Sequence, residues 1–285
     1  MVKRPGWTSA AARRLLNMAG TASTVEEAVY VVAKRFLKGI HSPPTDFKPL
    51  MTRLNITGVS EEDFSGSGEL QRDGRSFKII CSSHLSATRK RFTIAHEIAH
   101  VIFETTGQNC PRSGTELERL CDMLASEIIL PTDVFSSECA PSPSLSDIFH
   151  LAKTFAASVS ATTIRYCKLK KLSAFEIENG AISWSYGHFK QVDEELKSLV
   201  DEVLSGKKKT DAIYLNTREW KGEWSVEGVP LGRARALVLL RPIRREGRFL
   251  PRPRTQEGAG SPDQDVSTVD VLTESLTQSG TLSAN

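Results

Sequence analysis

A pair of histidines and a glutamate stand together in the run H-E-I-A-H at residues 96–100. Residues four apart lie on one face of an α-helix, so the rings of His96 and His100 can reach one metal ion. The carboxylate of Glu97 would lie beside that ion, where it can accept a proton from an attacking water molecule. The spacing therefore predicts a helical metal site with two histidine ligands and Glu97 as the general base.

The neighbours of these residues argue against two ordinary packed histidines. The predicted helix over residues 92–103 is otherwise apolar. Two polar rings without partners would be costly to bury there. A shared metal ion removes that cost, which favours His96 and His100 as ligands.

A third ligand is expected on the next predicted helix, where Glu118 and Asp122 are four residues apart. That helix is mostly apolar, and acids that point inward from it are costly unless a cation receives them. We expect Glu118 to bind the metal and Asp122 to accept a hydrogen bond from the free ring N–H of a ligating histidine. The alternative is that both acids are simply solvated.

Two further residues could compete for a metal role. Glu116 has capping-box spacing with Ser113, which favours a place in the first turn of the helix. His84 lies in a predicted loop. We therefore expect neither residue to be a ligand.

Two histidines and one carboxylate leave one position of a tetrahedral zinc site open, a pattern typical of hydrolytic zinc. Zn²⁺ is the expected cofactor, and it would polarise a peptide carbonyl. Glu97 would take the proton of the attacking water and pass it to the leaving amine.

The elements before the motif are predicted to be two scaffold helices and a small sheet. The first helix follows Thr8 or Ser9, and the second begins at Thr24. Short strands are predicted over residues 52–83, with an Asp-Gly turn at 73–74. We expect residues 77–81 to form an edge strand to which a peptide substrate could add as a further strand.

Two short helices over residues 145–170 have a periodicity similar to a helix-turn-helix. Their basic residues Arg165, Lys168, Lys170 and Lys171 cluster at one helix end, and the turn lacks its usual glycine. This placement favours a scaffold or substrate contact over binding to DNA.

The predicted fold class is α+β. A core of helices and a small sheet is expected over residues 1–172, followed by a β-rich extension over 173–250 with a hairpin at Asn179-Gly180. Residues 251–285 contain mostly serine, threonine, glycine and acids, and we expect them to be disordered.

The overall composition excludes several classes of protein. The net charge of +3 is too small to argue for nucleic-acid binding. The five cysteines include no C-x-x-C pair, so neither a disulfide framework nor a cysteine zinc site is indicated. No apolar run approaches the about 20 residues of a membrane span. We expect a cytoplasmic protein that is not in a membrane.

The runs RKRFTIAHEIAHVIFE and ELERLCDMLASEIILP resemble the ImmA/IrrE family of metallopeptidases, most strongly over residues 75–170. The resemblance implies a minimal, gluzincin-like zincin core. It implies zinc ligands at His96, His100 and Glu118 and the base at Glu97. Members of this family cleave helix-turn-helix repressors, so the expected function is a zinc endopeptidase that cuts a specific cytosolic protein such as a transcriptional repressor.

Two other functions stay open at this point. The chain could be a DNA-binding regulator that uses residues 145–171 and has a non-catalytic metal site. It could also bind a repressor without cutting it.

Overall fold

The computed structural model describes residues 7–40, 42–105, 114–187, 198, 201–202, 205, 210–216, 221–232 and 234–243. The predicted disordered tail over 251–285 lies outside these residues. The chain divides into two compact units, apart from short terminal pieces. The first contains Lys3–Cys139 and His150–Thr162, and the second contains Ala140–Phe149 and Thr163–Val271. The predicted boundaries near 172 and 250 stay predictions.

Helices α1 (Ala10–Ala19) and α2 (Val25–Phe36) open the first unit where the sequence predicts them. Ser9 and Thr24 accept hydrogen bonds from backbone N–H groups of the first turns, as N-caps do. Gly20 ends α1 with a φ of 77°, a conformation that favours glycine. Two short helices, α3 (Lys48–Arg53) and α6 (Thr132–Glu138), were not predicted from the sequence.

A three-stranded sheet follows, made of β1 (Ile56–Glu62), β2 (Gly68–Asp73) and β3 (Ser76–Ser82). Its order is β1-β3-β2, with β1 parallel and β2 antiparallel to β3. The expectation that residues 77–81 form an edge strand is therefore wrong, because β3 is paired on both sides. The two outer positions beside β3 belong to β1 and β2.

Helices α4 (Ala87–Thr105) and α5 (Thr115–Ile129) pack against each other, and α4 also packs on β2 and β3. The predicted capping box of α5 is wrong, because its N-cap is Gly114 and no side chain caps it. Glu116 accepts a hydrogen bond of 2.9 Å from the backbone N–H of Ser9 instead. This contact ties the start of α1 to α5.

Two helices precede the second sheet: α7 (Leu145–Thr154) and α8 (Val159–Lys170). The sheet has five antiparallel strands in the order β5-β4-β8-β7-β6. They are β4 (Ser173–Glu178), β5 (Ala181–Tyr186), β6 (Thr210–Asn216), β7 (Lys221–Gly232) and β8 (Arg235–Pro242). The predicted turn joins β4 to β5, with φ of 51° at Asn179 and 79° at Gly180.

Helices and sheets thus occupy separate segments of the chain, and the predicted α+β class is confirmed. None of the described helices combines the length and apolar character that crossing a membrane demands.

Candidate metal centre

Neighbouring turns of α4 and α5 bring two imidazole rings and one carboxylate together. The Nε2 atoms of His96 and His100 are 3.1 Å apart. Oε2 of Glu118 lies 3.2 Å from Nε2 of His96 and 3.4 Å from Nε2 of His100. The two rings are 17% and 15% exposed, whereas Glu118 is 48% exposed. The three atoms therefore form a small triangle that is open on the side of the carboxylate.

The size and donor types of this triangle fit a divalent transition metal. Donor atoms about 2.0–2.1 Å from a tetrahedral zinc ion are about 3.3 Å from one another. The three separations in the structure, 3.1, 3.2 and 3.4 Å, match that requirement. Two imidazole nitrogens and one carboxylate oxygen suit zinc, whereas calcium and magnesium prefer oxygen donors throughout.

Asp122 lies one turn beyond Glu118 on α5 and is nearly buried. Its Oδ1 is 2.8 Å from Nδ1 of His96. When the ring donates Nδ1–H to this carboxylate, the lone pair of Nε2 points to the triangle. The structure therefore places Asp122 next to His96 and outside the three-atom cluster.

The charges around the triangle favour a cation within it. Burial lowers the pKa of His96, but hydrogen bonds to Asp122 and Glu118 outweigh burial and raise the pKa to about 10. Hydrogen bonds from His100 and His96 hold the pKa of Glu118 well below its usual range. The cluster thus stabilises positive charge at the point where the three donor atoms meet.

Glu97 is only 8% exposed and lies beside the triangle without being part of it. Burial raises the pKa of its carboxyl group. The two neighbouring histidines oppose this rise, whereas the negative charges of Glu118 and Glu69 add to it. No described residue donates a hydrogen bond to this carboxylate. A buried carboxylate with a raised pKa and unused acceptor capacity is chemically suited to accept a proton.

Gly68 is a residue of the site that sequence reasoning missed. A Cβ atom at this position would lie 2.8 Å from Oε1 of Glu97 and would overlap the Thr93 side chain. The absence of a side chain therefore lets β2 pass directly over Glu97. A single glycine at the start of a strand pattern is the signal that could have indicated this close approach.

The two competing residues lie away from the triangle. Glu116 contacts Thr8 and Ser9 at the start of α1. His84 pairs with Asp63 on the surface, with both side chains mostly exposed. Among the described residues, His96, His100 and Glu118 are the group of three side chains that could share a metal ion.

An apolar cavity of about 450 Å³ lies elsewhere in the first unit. It is lined by α2 and by the connection from α5 to α6, and Tyr30, Lys34 and Asp133 stand among its lining residues. None of the site residues lines it.

Comparisons with known proteins are consistent with this geometry. The family model described as the IrrE N-terminal-like domain, Peptidase_M78, matches residues 54–166 and so spans the whole candidate site. A solved structure of a Mycobacterium tuberculosis transcriptional regulator resembles the chain with a TM-score of 0.50 and 14% identity. The alignment covers 81% of this chain and 79% of that one, and at this identity it concerns the fold alone. Among curated proteins, none matches the chain in sequence. The resemblance to the ImmA/IrrE family is thus confirmed over residues 54–166, the part of the chain that contains the His96 motif and both acids of α5.

Proposed function

We propose that the protein is a zinc-dependent endopeptidase that cuts a specific cytoplasmic protein. The observation that carries this proposal is the triangle of His96, His100 and Glu118, with separations of 3.1–3.4 Å, beside the buried carboxylate of Glu97. Three protein donors leave a fourth position free, as in hydrolytic zinc sites.

In this proposal each residue has a separate role. His96, His100 and Glu118 hold the metal, and Asp122 fixes the ring of His96 through Nδ1. The bound zinc ion would supply Lewis acidity for the peptide carbonyl and for water. Glu97 accepts the proton of the attacking water and later delivers it to the leaving amine.

The edge of β2 is the proposed place for the substrate backbone. Within the described sheet, β2 pairs with β3 on one side only, and its first residue, Gly68, lies against Glu97. A peptide that adds to this edge as a further strand would run past the catalytic carboxylate. This assigns to β2 the role that the sequence had suggested for β3.

We further propose that the substrate is a helix-turn-helix transcriptional repressor. The family resemblance supports this class, and the structural neighbour is named a transcriptional regulator. The test is co-expression with a candidate repressor, followed by mass spectrometry of its fragments. Glu97→Gln should keep the metal and abolish the fragments. Repressor inactivation that survives this change would show that binding, and not cleavage, is the mechanism.

A DNA-binding regulator is the second candidate, because the structural neighbour is named a transcriptional regulator. The burial of α8 argues against it. Thr162, Thr163, Tyr166 and Cys167 are buried, and Lys168 alone on this helix is exposed. A recognition helix needs an exposed face for the major groove. A gel shift that responds to Lys168→Gln would favour this candidate, and unchanged DNA affinity would exclude it.

A further inference from the structure

Three basic residues follow one another in the first turns of α4, and two of them have structural partners. Nζ of Lys90 lies 2.7 Å from Oε2 of Glu61 on β1. The guanidinium of Arg91 donates to the backbone oxygen of Thr45 at 2.6 Å. Both cations are therefore engaged in holding α4 to the rest of the first unit.

Arg89 differs from these two, because none of the described acids forms an ion pair with it. Its hydrogen-bond partner is neutral, since Nη2 of Arg89 donates to the hydroxyl of Ser67 at 3.3 Å. Its guanidinium carbon lies 6.0 Å from the centroid of the Phe92 ring. Residues 106–113, which follow α4 in the chain, contain no aspartate or glutamate either.

The side chain is also partly withdrawn from water. Burial lowers the pKa of Arg89, and the more distant charge of Asp122 opposes this effect. Arginine nevertheless stays charged in proteins. A partly buried guanidinium without an adjacent anion is costly, and a carboxylate that binds to it offsets that cost through two parallel hydrogen bonds.

Arg89 lies in line with the candidate metal ligands along α4. It precedes His96 by seven residues and His100 by eleven, so all three project within about 20° of one direction on the helix. Seven residues correspond to about 10 Å along the helix axis. Ser67, its hydrogen-bond partner, directly precedes Gly68, which adjoins Glu97. The guanidinium therefore lies beside the end of β2, along the proposed path of the substrate.

We propose that Arg89 binds the carboxylate of an aspartate or glutamate side chain in the substrate, about three residues from the scissile bond. The spacing follows from the distance of about 10 Å along α4 between Arg89 and His96. An extended peptide advances about 3.3 Å per residue, so this distance corresponds to about three residues. The proposal rests on the proposed peptidase function and adds to it a substrate class, namely peptides with an acidic residue at a fixed position. Arg89 is then a specificity-determining residue.

The test measures binding, so that it does not depend on cleavage. Zinc-loaded Glu97→Gln protein is used to select tightly bound peptides from a displayed library of short random sequences. We expect enrichment of aspartate or glutamate at one fixed position. The Glu97→Gln protein that also carries Arg89→Gln should lose that enrichment. It should bind the selected peptides about 10- to 100-fold more weakly. Lys90→Gln is the matched control, because it removes the same charge one residue away and should preserve the enrichment.

Selected peptides are then resynthesised to identify the carboxylate. Replacing the enriched glutamate by glutamine should weaken binding as much as Arg89→Gln does, whereas amidating the C-terminus should change little. Loss on amidation alone would assign the site to a chain terminus and overturn the proposal.

Two further results would overturn it. One is that the Glu97→Gln protein selects no acidic residue at a fixed position, or that Arg89→Gln leaves this selection unchanged. The other is an Arg89→Gln protein that loses zinc as Asp122→Asn is expected to, because the lost preference would then follow from the lost metal and not from the lost guanidinium. If the Arg89-dependent preference is found but wild-type protein cleaves none of the selected peptides, this inference stands and the peptidase proposal fails.

Discussion

Oδ1 of Asp122 lies 2.8 Å from Nδ1 of His96, and this contact orients the ring so that Nε2 faces the other two donors. Asp122→Asn keeps the shape of the side chain but removes its charge. We expect metal retention to weaken about 10- to 100-fold, the range typical of such supporting groups. Competition with a zinc-binding dye measures the affinity of each protein for zinc. Asp63→Asn is the control, because it breaks a similar 2.8 Å contact with the exposed His84.

His100→Ala should remove most of the bound zinc, because two donors hold the ion far more weakly than three. Elemental analysis after extensive dialysis should find about one zinc per wild-type chain and much less in the variant. His84→Ala should retain the wild-type content. Equal zinc in His100→Ala and wild type would contradict the site.

Gly68→Ala tests the close approach of β2 to Glu97. The added Cβ would lie 2.8 Å from Oε1 of Glu97 and overlap Thr93, so the carboxylate must move. A displacement of about 1 Å can cost about 100-fold in rate. We expect peptide cleavage to fall by about that factor while zinc content is preserved.

Gly58→Ala on β1 is the matched control, because no atom lies within 4 Å of its added Cβ. Its cleavage rate should equal that of the wild type. An active Gly68→Ala enzyme would show that Glu97 has room to adjust.

An ion pair between the buried carboxylate of Glu176 and the partly exposed Arg235 stabilises the second sheet, and it gives a prediction that is independent of the metal. Glu176 is 3% exposed, and it accepts hydrogen bonds of 2.9 Å from Nε of Arg235 and from Nε1 of Trp184. Arg235→Gln removes the cation and leaves a buried carboxylate. We expect the free energy of unfolding to fall by about 1–3 kcal/mol.

Urea denaturation followed by tryptophan fluorescence measures this loss. Arg72→Gln is the control, because Arg72 pairs with Glu104 at 3.8 Å and is 58% exposed. Exposed pairs contribute about 0–1 kcal/mol. If both variants lose the same stability, the Glu176 pair has no special role.

The sequence predicted the parts of the protein that depend on local geometry. A separation of four residues places His96 with His100 and Glu118 with Asp122 on common helix faces, whatever the rest of the chain does. Backbone preference likewise predicts the turn at Asn179-Gly180, where φ is positive at both residues. Both predictions depend only on residues that are close together in the sequence.

The errors concern contacts between distant segments. Glu116 has the spacing of a capping residue but binds the backbone of Ser9, far away in the chain. β3 has the pattern of an edge strand, yet β1 pairs with it from a separate segment. Neither partner can be identified from the local pattern of residues.

The amino-acid sequence by itself predicted the α+β class and the five residues proposed for the site, because helix periodicity and side-chain chemistry act over one or two turns. The family resemblance came from the runs of residues around His96 and Glu118. Only the tertiary structure decided that α4 and α5 bring the three donor atoms within 3.4 Å of one another. The fold likewise decided that β2 passes over Glu97 at Gly68 and that Arg89 donates its hydrogen bond to the hydroxyl of Ser67. The physical reason is that these relationships depend on how helices and strands pack across the chain, and packing is set by all the segments together.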